Sequence, residues 1–223
     1  MDENWSAVDE YIDGLLVQSD AALDAAVEAS RSAGLPAIAV TPSQGKFLHL
    51  LARVHGAARI LEIGTLGGYS TVWLARALPK EGRLITIEAD PGHAEVARSN
   101  IARAGLSHLV DLRIGRGLDV LPELVREGQK AFDLTFIDAD KHGIPEYFRF
   151  ALAMSREGSL IIVDNVIRDG RVLDAHSRDP DIQGIRKFNE MIAGEPRVSA
   201  TAIQTVGAKG YDGFAMLLVV PPA

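Results

Sequence analysis

The chain has 223 residues, 47% of them hydrophobic and 24% charged, ordinary proportions for a globular protein able to bury a substantial core. Its 30 acids against 23 bases give a formal charge of −7. That argues against bulk binding to nucleic acid or to an anionic membrane, since both need a basic face. There is no cysteine, so disulfides, thiolate metal sites and cysteine nucleophiles are excluded. The acidic start MDENWSAVDEYIDG lacks the basic and apolar regions of a signal peptide. No apolar run reaches the roughly 18 residues of a membrane span, and a cytoplasmic protein is the expectation.

The first third reads as helical. Trp5, Val8, Ile12, Leu15 and Leu16 share one face of a first helix, and Leu23, Ala26 and Val27 mark a second that stops at Gly34 before Pro36. Thr41 and Pro42 supply a cap and first turn for a third, which carries Phe47, Leu48, Leu51 and Val54 and ends near Gly56. From residue 58 the period changes. ARILEIG, RLITIEA, VDLRIG, FDLTFIDA and GSLIIVDNV read as five strands. Between them lie the helical runs YSTVWLARAL, PGHAEVARSNIARAG, LDVLPELVREG and IPEYFRFALAM. Strands this continuously apolar, alternating with helices, imply a parallel sheet covered on both faces. VSATAIQTVG and YDGFAMLLVV then follow one another without a helix, as a hairpin at the sheet edge. The fold class is α/β: a Rossmann-like, doubly wound seven-stranded sheet, mostly parallel with an antiparallel last strand, preceded by N-terminal helices. No repeat, low-complexity tract or Pro/Gly/Ser linker divides residues 1–223, which are read as one domain.

In open sheets of this kind ligands bind beyond the carboxyl ends of the strands. The first strand ends in EIGTLGGYS, a glycine turn that lets backbone approach a ligand and opens a helix N-terminus. Its G-x-x-G-G pattern misses the dinucleotide spacing. Alone it fits tight packing equally well. The second strand ends in Glu88, placed to accept from a ribose diol or, more blandly, to cap the helix at Pro91. With the glycine turn, a bound nucleoside is the better reading. The fourth strand ends in Asp138 and Asp140, and the fifth in Asp164 and Asn165. Two carboxylates and an amide oxygen on neighbouring strand ends suit a hard cation such as Mg²⁺. Six scattered histidines make no zinc pair. Lys141 follows three positions after Asp138. A lysine beside a divalent cation is disfavoured in its charged form, which suits a general base.

In this order and spacing ILEIGTLGGYS, ITIEAD, FIDADK and IIVDNV resemble the metal-dependent O-methyltransferases of the catechol and caffeoyl-coenzyme A type, nearest their small bacterial branch. The resemblance runs from about residue 38 to the closing VGAKGYDGFAMLLVV and leaves residues 1–37 as a loosely matched helical extension. It implies S-adenosylmethionine as cofactor and a divalent metal, Mg²⁺ or another such as Mn²⁺ or Ca²⁺. Carried over by position, Glu88 with Ala89 would hold the ribose. Glu62, Gly64, Thr65, Ser70 and the backbone near Val40 would hold the methionine end. Gly117 would lie near the adenine, with Asp138 and Asp140 also near the cofactor. Asp138, Asp164 and Asn165 match the metal ligands and Lys141 the catalytic base. The implied acceptor is a small phenolic molecule with vicinal hydroxyls, and Lys141, Arg168 and Asp169 would meet it. Where plant members carry a tryptophan after the D-N pair, this chain has Arg168, so coenzyme A thioesters are not carried over. Arg168 and Arg171 would favour an acidic acceptor or are surface charges. A homodimer is expected from the resemblance, and the apolar stripes of the first helices would either pack across it or cover the acceptor pocket.

Three rival readings are weaker. A nicotinamide-dependent oxidoreductase leaves the acidic cluster without a role. A nucleic-acid methyltransferase conflicts with the net charge. A non-catalytic relative has no chemical need for Asp138, Lys141, Asp164 and Asn165 together.

Overall fold

Runs of Val, Ile, Leu and Phe without polar alternation are stable in the middle of a sheet covered on both faces. In a computed structural model that describes residues 3–18 and 20–221, these runs are β1 (Arg59–Ile63), β2 (Arg83–Glu88), β3 (Val110–Ile114), β4 (Phe132–Ile137) and β5 (Ser155–Asp164), all in parallel. With β6 (Val198–Gly207) and β7 (Gly210–Val219) they form a seven-stranded sheet in the order β3-β2-β1-β4-β5-β7-β6. β7 pairs antiparallel with both neighbours, so the final hairpin inserts its second strand beside β5 and leaves β6 at the edge. Strand order reverses between β1 and β4, where a doubly wound sheet has its crevice.

The helices are α1 (Glu3–Leu16), α2 (Ala21–Ser32), α3 (Pro42–His55), α4 (Tyr69–Ala75), α5 (Pro91–Arg103), α6 (Gly117–Arg126), α7 (Ile144–Ala153) and α8 (Pro180–Gly194). Successive strand residues face opposite cores. Ile60 packs with Leu48, Trp73 and Ile101 on one side, while Leu61 packs with Leu124, Phe148 and Phe188 on the other. The expected start of α3 is present: the Thr41 hydroxyl accepts from the Gln44 amide, and Gly56 ends the helix in the left-handed region. No helix among the described residues is long and apolar enough to cross a membrane.

One element differs from expectation. α8 was not anticipated, although Asp179 caps it and Pro180 opens it as Thr41 and Pro42 do for α3. Its buried Ile182, Ile185 and Phe188 are too few among polar neighbours to stand out. It nonetheless braces the site: a Cβ at Gly184 would lie 2.4 Å from the Lys141 carbonyl oxygen. The stripe on α1, expected to pack across a dimer or to cover the acceptor pocket, is exposed in this chain. Val8, Leu15 and Leu16 are 52%, 62% and 69% exposed. α1 turns its acids inward instead, Asp9 accepting from the Ala208 amide at 2.7 Å and Asp13 from the Ser43 hydroxyl at 2.5 Å.

Candidate active site at the strand ends

The site begins with the meeting of β1 and β4. Gly64 has φ +99°, and a Cβ there would lie 2.0 Å from the Asp138 carbonyl oxygen, so no other residue fits. The chain then turns into α4 around the Glu88 carboxylate, which accepts from the Thr65 and Leu66 amides at 3.2 and 2.7 Å. The cap of α5 is Asp90, whose side chain accepts from the Gly92 and His93 amides. Glu88 is therefore not that cap; it braces the glycine turn and lines the cleft. The cleft, about 530 Å³, lies within the ~300–1,000 Å³ usual for small-molecule sites. Gly64, Thr65 and Ser70 line it from the first turn, and Glu88 and Ala89 from the second. Gly117, Asp138, Asp140 and Lys141 close its far side, and Val40 reaches it from the loop before α3.

Glu62 lies beneath this lining, fully buried. Its carboxyl accepts from the hydroxyls of Ser70, Thr71 and Thr86 at 2.7, 2.5 and 2.7 Å. Burial pushes its pKa up from 4.5 to about 7 against those three donors, and the charge of Asp138 adds to the rise. It reaches the cleft through Ser70.

The second half of the site follows from strand register. Ile137 of β4 pairs with Val163 of β5, so Asp138 and Asp164 stand level just past the ladder. Asp164 is 5% exposed. Desolvation first, then the charge of Asp138, raises its pKa to about 7, opposed by Lys141. One of its oxygens accepts from Gln44 Nε2 at 2.6 Å and the other from the Asn165 amide at 2.8 Å. Lys141, almost buried, points Nζ at Asp138 Oδ1, 2.7 Å away. Among the described residues no three His, Cys, Asp or Glu side chains converge as a metal cluster. The third donor available beside Asp138 and Asp164 is the amide oxygen of Asn165.

A second cavity, about 640 Å³, adjoins this corner between α3, the loop after β5 and the β6–β7 hairpin. Asp164 and Asp169 line it, and Asn165 and Arg168 face both cavities. Asn165, Arg168 and Asp169 all have positive φ, 60°, 53° and 55°. The loop is held by Asp212, whose carboxylate accepts from the Ile167 and Arg168 amides. Arg171 is ion-paired with Asp179 at 2.5 Å and lines neither cavity.

Several site residues escaped the sequence reading. Tyr147 donates to Asp140 Oδ1 at 2.5 Å, and burial, reinforced by that bond, raises its phenol pKa. A Cβ on Gly117 would lie 2.7 Å from the same ring, so this glycine leaves room for Tyr147. Gln44 orients Asp164, and buried Asn100 donates to the Gly67 carbonyl at 2.9 Å. None carried a local signal: Tyr147 falls among apolar residues of α7, and Gln44 and Asn100 reach across the fold.

The sheet order and the cleft at its reversal point define a Rossmann-like, doubly wound α/β protein. The model of the O-methyltransferase family matches residues 16–217. A catechol O-methyltransferase of Niastella koreensis is 56% identical over 215 residues, 96% of this chain and 97% of its own. One of Mycobacterium tuberculosis is 51% identical over 212 residues, 95% and 94% of the two chains. The crystal structure of an O-methyltransferase from Bacillus cereus in complex with SAH superposes with a TM-score of 0.97 at 55% identity, covering 98% of this chain and all of the other. The chain belongs to the O-methyltransferase family.

Glu62 gives a pH test of the cleft's foundation. Its proton is held more tightly in the folded than in the unfolded chain. The stability it contributes is therefore complete below pH 4.5 and is lost as pH rises to about 7. The shift corresponds to roughly 3 kcal/mol at most. In Glu62→Gln that loss should vanish, so the stability difference between wild type and variant should change across this window. Urea unfolding at pH 4.5, 6 and 8, with chelator present, measures it. A difference that stays constant with pH would mean that Glu62 is ionised in the fold throughout.

Proposed function

We propose that the protein transfers a methyl group from S-adenosylmethionine to one hydroxyl of a catechol-like acceptor, with a divalent cation on Asp138, Asp164 and Asn165. The observation that carries this reading is the corner where the two cavities meet. There the Lys141–Asp138 pair, Asp164 and Asn165 stand between a cleft sized for a cofactor and a second cavity open to an acceptor. The names of the N. koreensis and M. tuberculosis relatives and the SAH in the B. cereus structure support it.

The donor set fits a metal. Two carboxylates and an amide oxygen are hard ligands of the kind Mg²⁺, Mn²⁺ and Ca²⁺ take, with positions left for water or substrate. Asp164 is raised to about 7 partly because Asp138 faces it in a buried corner, and a dication relieves that repulsion. Gln44 and the Asn165 amide already orient the Asp164 carboxylate, as outer partners do in metal sites. When bound, S-adenosylmethionine supplies an electrophilic methyl group and the cation acidifies the acceptor hydroxyl. The chain supplies the rest. Glu88 offers its carboxylate to the ribose hydroxyls, and the Gly64–Ser70 turn takes the methionine end. Lys141 Nζ accepts the proton of the reacting hydroxyl. Its present partner, Asp138, is also a proposed ligand, so a cation held there would compete with Lys141 for that carboxylate. Arg168 and Asp169 contact the acceptor. Holding two reactants in line is the larger part of such a transfer, and rigid strand ends suit that task.

We also propose a homodimer. The stripe of α1 leaves Val8, Tyr11, Leu15 and Leu16 52%, 69%, 62% and 69% exposed. Exposed apolar surface on one helix marks an interface, and a second copy of the chain is the occupant assigned to it.

Methyl transfer from labelled S-adenosylmethionine to 3,4-dihydroxybenzoate, with Mg²⁺, with excess chelator and after metal is restored, is the direct test. Activity should vanish with chelator and return with Mg²⁺; indifference to chelator would remove the metal assignment. Lys141→Met should lower kcat at least a hundredfold, the usual scale of general base catalysis, with little change in KM. A rate near wild type would assign the proton to another group. Light scattering should give twice the chain mass for the wild type and a single chain for Leu15→Glu/Leu16→Glu. A monomeric wild type at micromolar concentration would refute the dimer.

A further inference from the structure

The acceptor-side cavity is bounded by the tip of the β6–β7 hairpin, and α1 holds that tip from outside. Gly207 pairs with Gly210 across a turn whose two central residues are Ala208 and Lys209. Asp9 Oδ2 accepts from the Ala208 amide at 2.7 Å, and a Cβ on Gly207 would lie 2.4 Å from the same oxygen. Helix and turn are thus in direct contact, and the position of Lys209 is set by Asp9.

Lys209 lines the cavity. It is close enough to Asp138 and Asp164 for both charges to act on it, yet it makes no ion pair or hydrogen bond with a described residue. The other bases near the site are committed: Lys141 to Asp138, Arg171 to Asp179, and Arg186 to the Val172 carbonyl. The other base lining this cavity, Arg168, resembles Lys209, its guanidinium without a partner among the described residues. None of the acids around the cavity is ion-paired with either cation. Asp9 is engaged by the turn and Asp212 by three backbone amides, while Asp169 lines the cavity beside Arg168, its carboxylate without an ion pair to either cation. Asp164 sits at the corner with Asp138.

On the reading of the site proposed above, an acceptor with its vicinal oxygens at that corner can enter in two ways, related by a flip of the ring. A neutral ring gives the protein little to choose by. A cation fixed to one wall distinguishes the two orientations whenever the ring carries a negative substituent, because a charge-assisted hydrogen bond forms in only one of them. We infer that Lys209, together with Arg168, binds an anionic substituent of the acceptor and so decides which of the two hydroxyls faces the methyl donor. The substrate class is a catechol bearing a carboxylate or similar anion, and Asp9 acts as a positioning residue through the turn.

The test compares two acceptors of one shape, 3,4-dihydroxybenzoate and neutral 3,4-dihydroxybenzaldehyde, reading the ratio of their kcat/KM values and the meta-to-para product ratio. In Lys209→Met the preference for the acid should fall about tenfold, the size of one charge-assisted hydrogen bond, and its product ratio should move toward one. Lys209→Arg should keep most of both. Asp9→Ala should follow Lys209→Met, whereas Asp9→Asn, whose amide oxygen still accepts from Ala208, should follow wild type. An unchanged acid-to-aldehyde ratio and product ratio in Lys209→Met would overturn the inference while leaving the methyltransferase reading intact. A wild type that methylates neither acceptor would overturn both.

Discussion

Asp138 and Asp164 stand level at the ends of adjacent parallel strands, a spacing of about 4.8 Å between backbones, in a corner from which water is largely excluded. Two carboxylates so placed cannot both ionise freely, and the surroundings answer that repulsion from several sides. Lys141 pairs with Asp138, Gln44 donates to Asp164, and the charge of Lys209 acts on both. None of these groups comes from the same element. The corner therefore exists only when β4, β5, α3, the turn after β4 and the β6–β7 hairpin are all in register. Gly184 on α8 is part of that requirement, since the Lys141 turn lies where its side chain would be.

Backbone strain gathers at the same mouth. Asn165, Arg168 and Asp169 occupy the left-handed region with a side chain, and so does Leu66 in the glycine turn. Such conformations cost about 1–3 kcal/mol each and persist only where neighbours determine them. Here the determinants are specific acceptors. Glu88 takes the Leu66 amide, Asp212 takes two amides of the loop, and the Tyr211 carbonyl takes the Asp169 amide. Among the described non-glycine residues, positive φ is thus confined to the segments that present polar groups to the two cavities.

How much of this was legible in the sequence depended on the range of the interaction. The strands and the Gly64 turn were readable because apolar continuity and glycine placement are local properties. Asp138, Asp164 and Asn165 were readable as a group because strand order fixes which ends are neighbours. α8 was not, since its apolar triplet is diluted by polar residues and its cap lies in a stretch that reads as loop. α1 was readable as a helix but not in its orientation: periodicity reveals an apolar stripe and is silent about which body that stripe meets. Gln44, Asn100, Tyr147 and Lys209 act across the fold, and their identities carry no trace of their partners. Glu62 was legible as a strand-end acid, but its burial beneath Ser70 was not.

The orientation of α1 joins two parts of the molecule that the sequence presents as unrelated. One face of the helix carries Asp9 and Asp13, which reach the hairpin turn and the start of α3 on either side of the acceptor cavity. Val8, Tyr11 and Leu15, turned away from those acids, are exposed. An isolated helix of 14 residues is marginal in water, and little of its apolar area is buried within this chain. A surface that covered the stripe would therefore do more than hold two copies together. It would fix the helix whose acids fix the turn that carries Lys209, placing association and acceptor orientation in mechanical series. On this view the N-terminal helix is neither a simple lid nor a simple interface. On the proposed reading it would link one role to the other, in part through the hydrogen bond between Asp9 and Ala208.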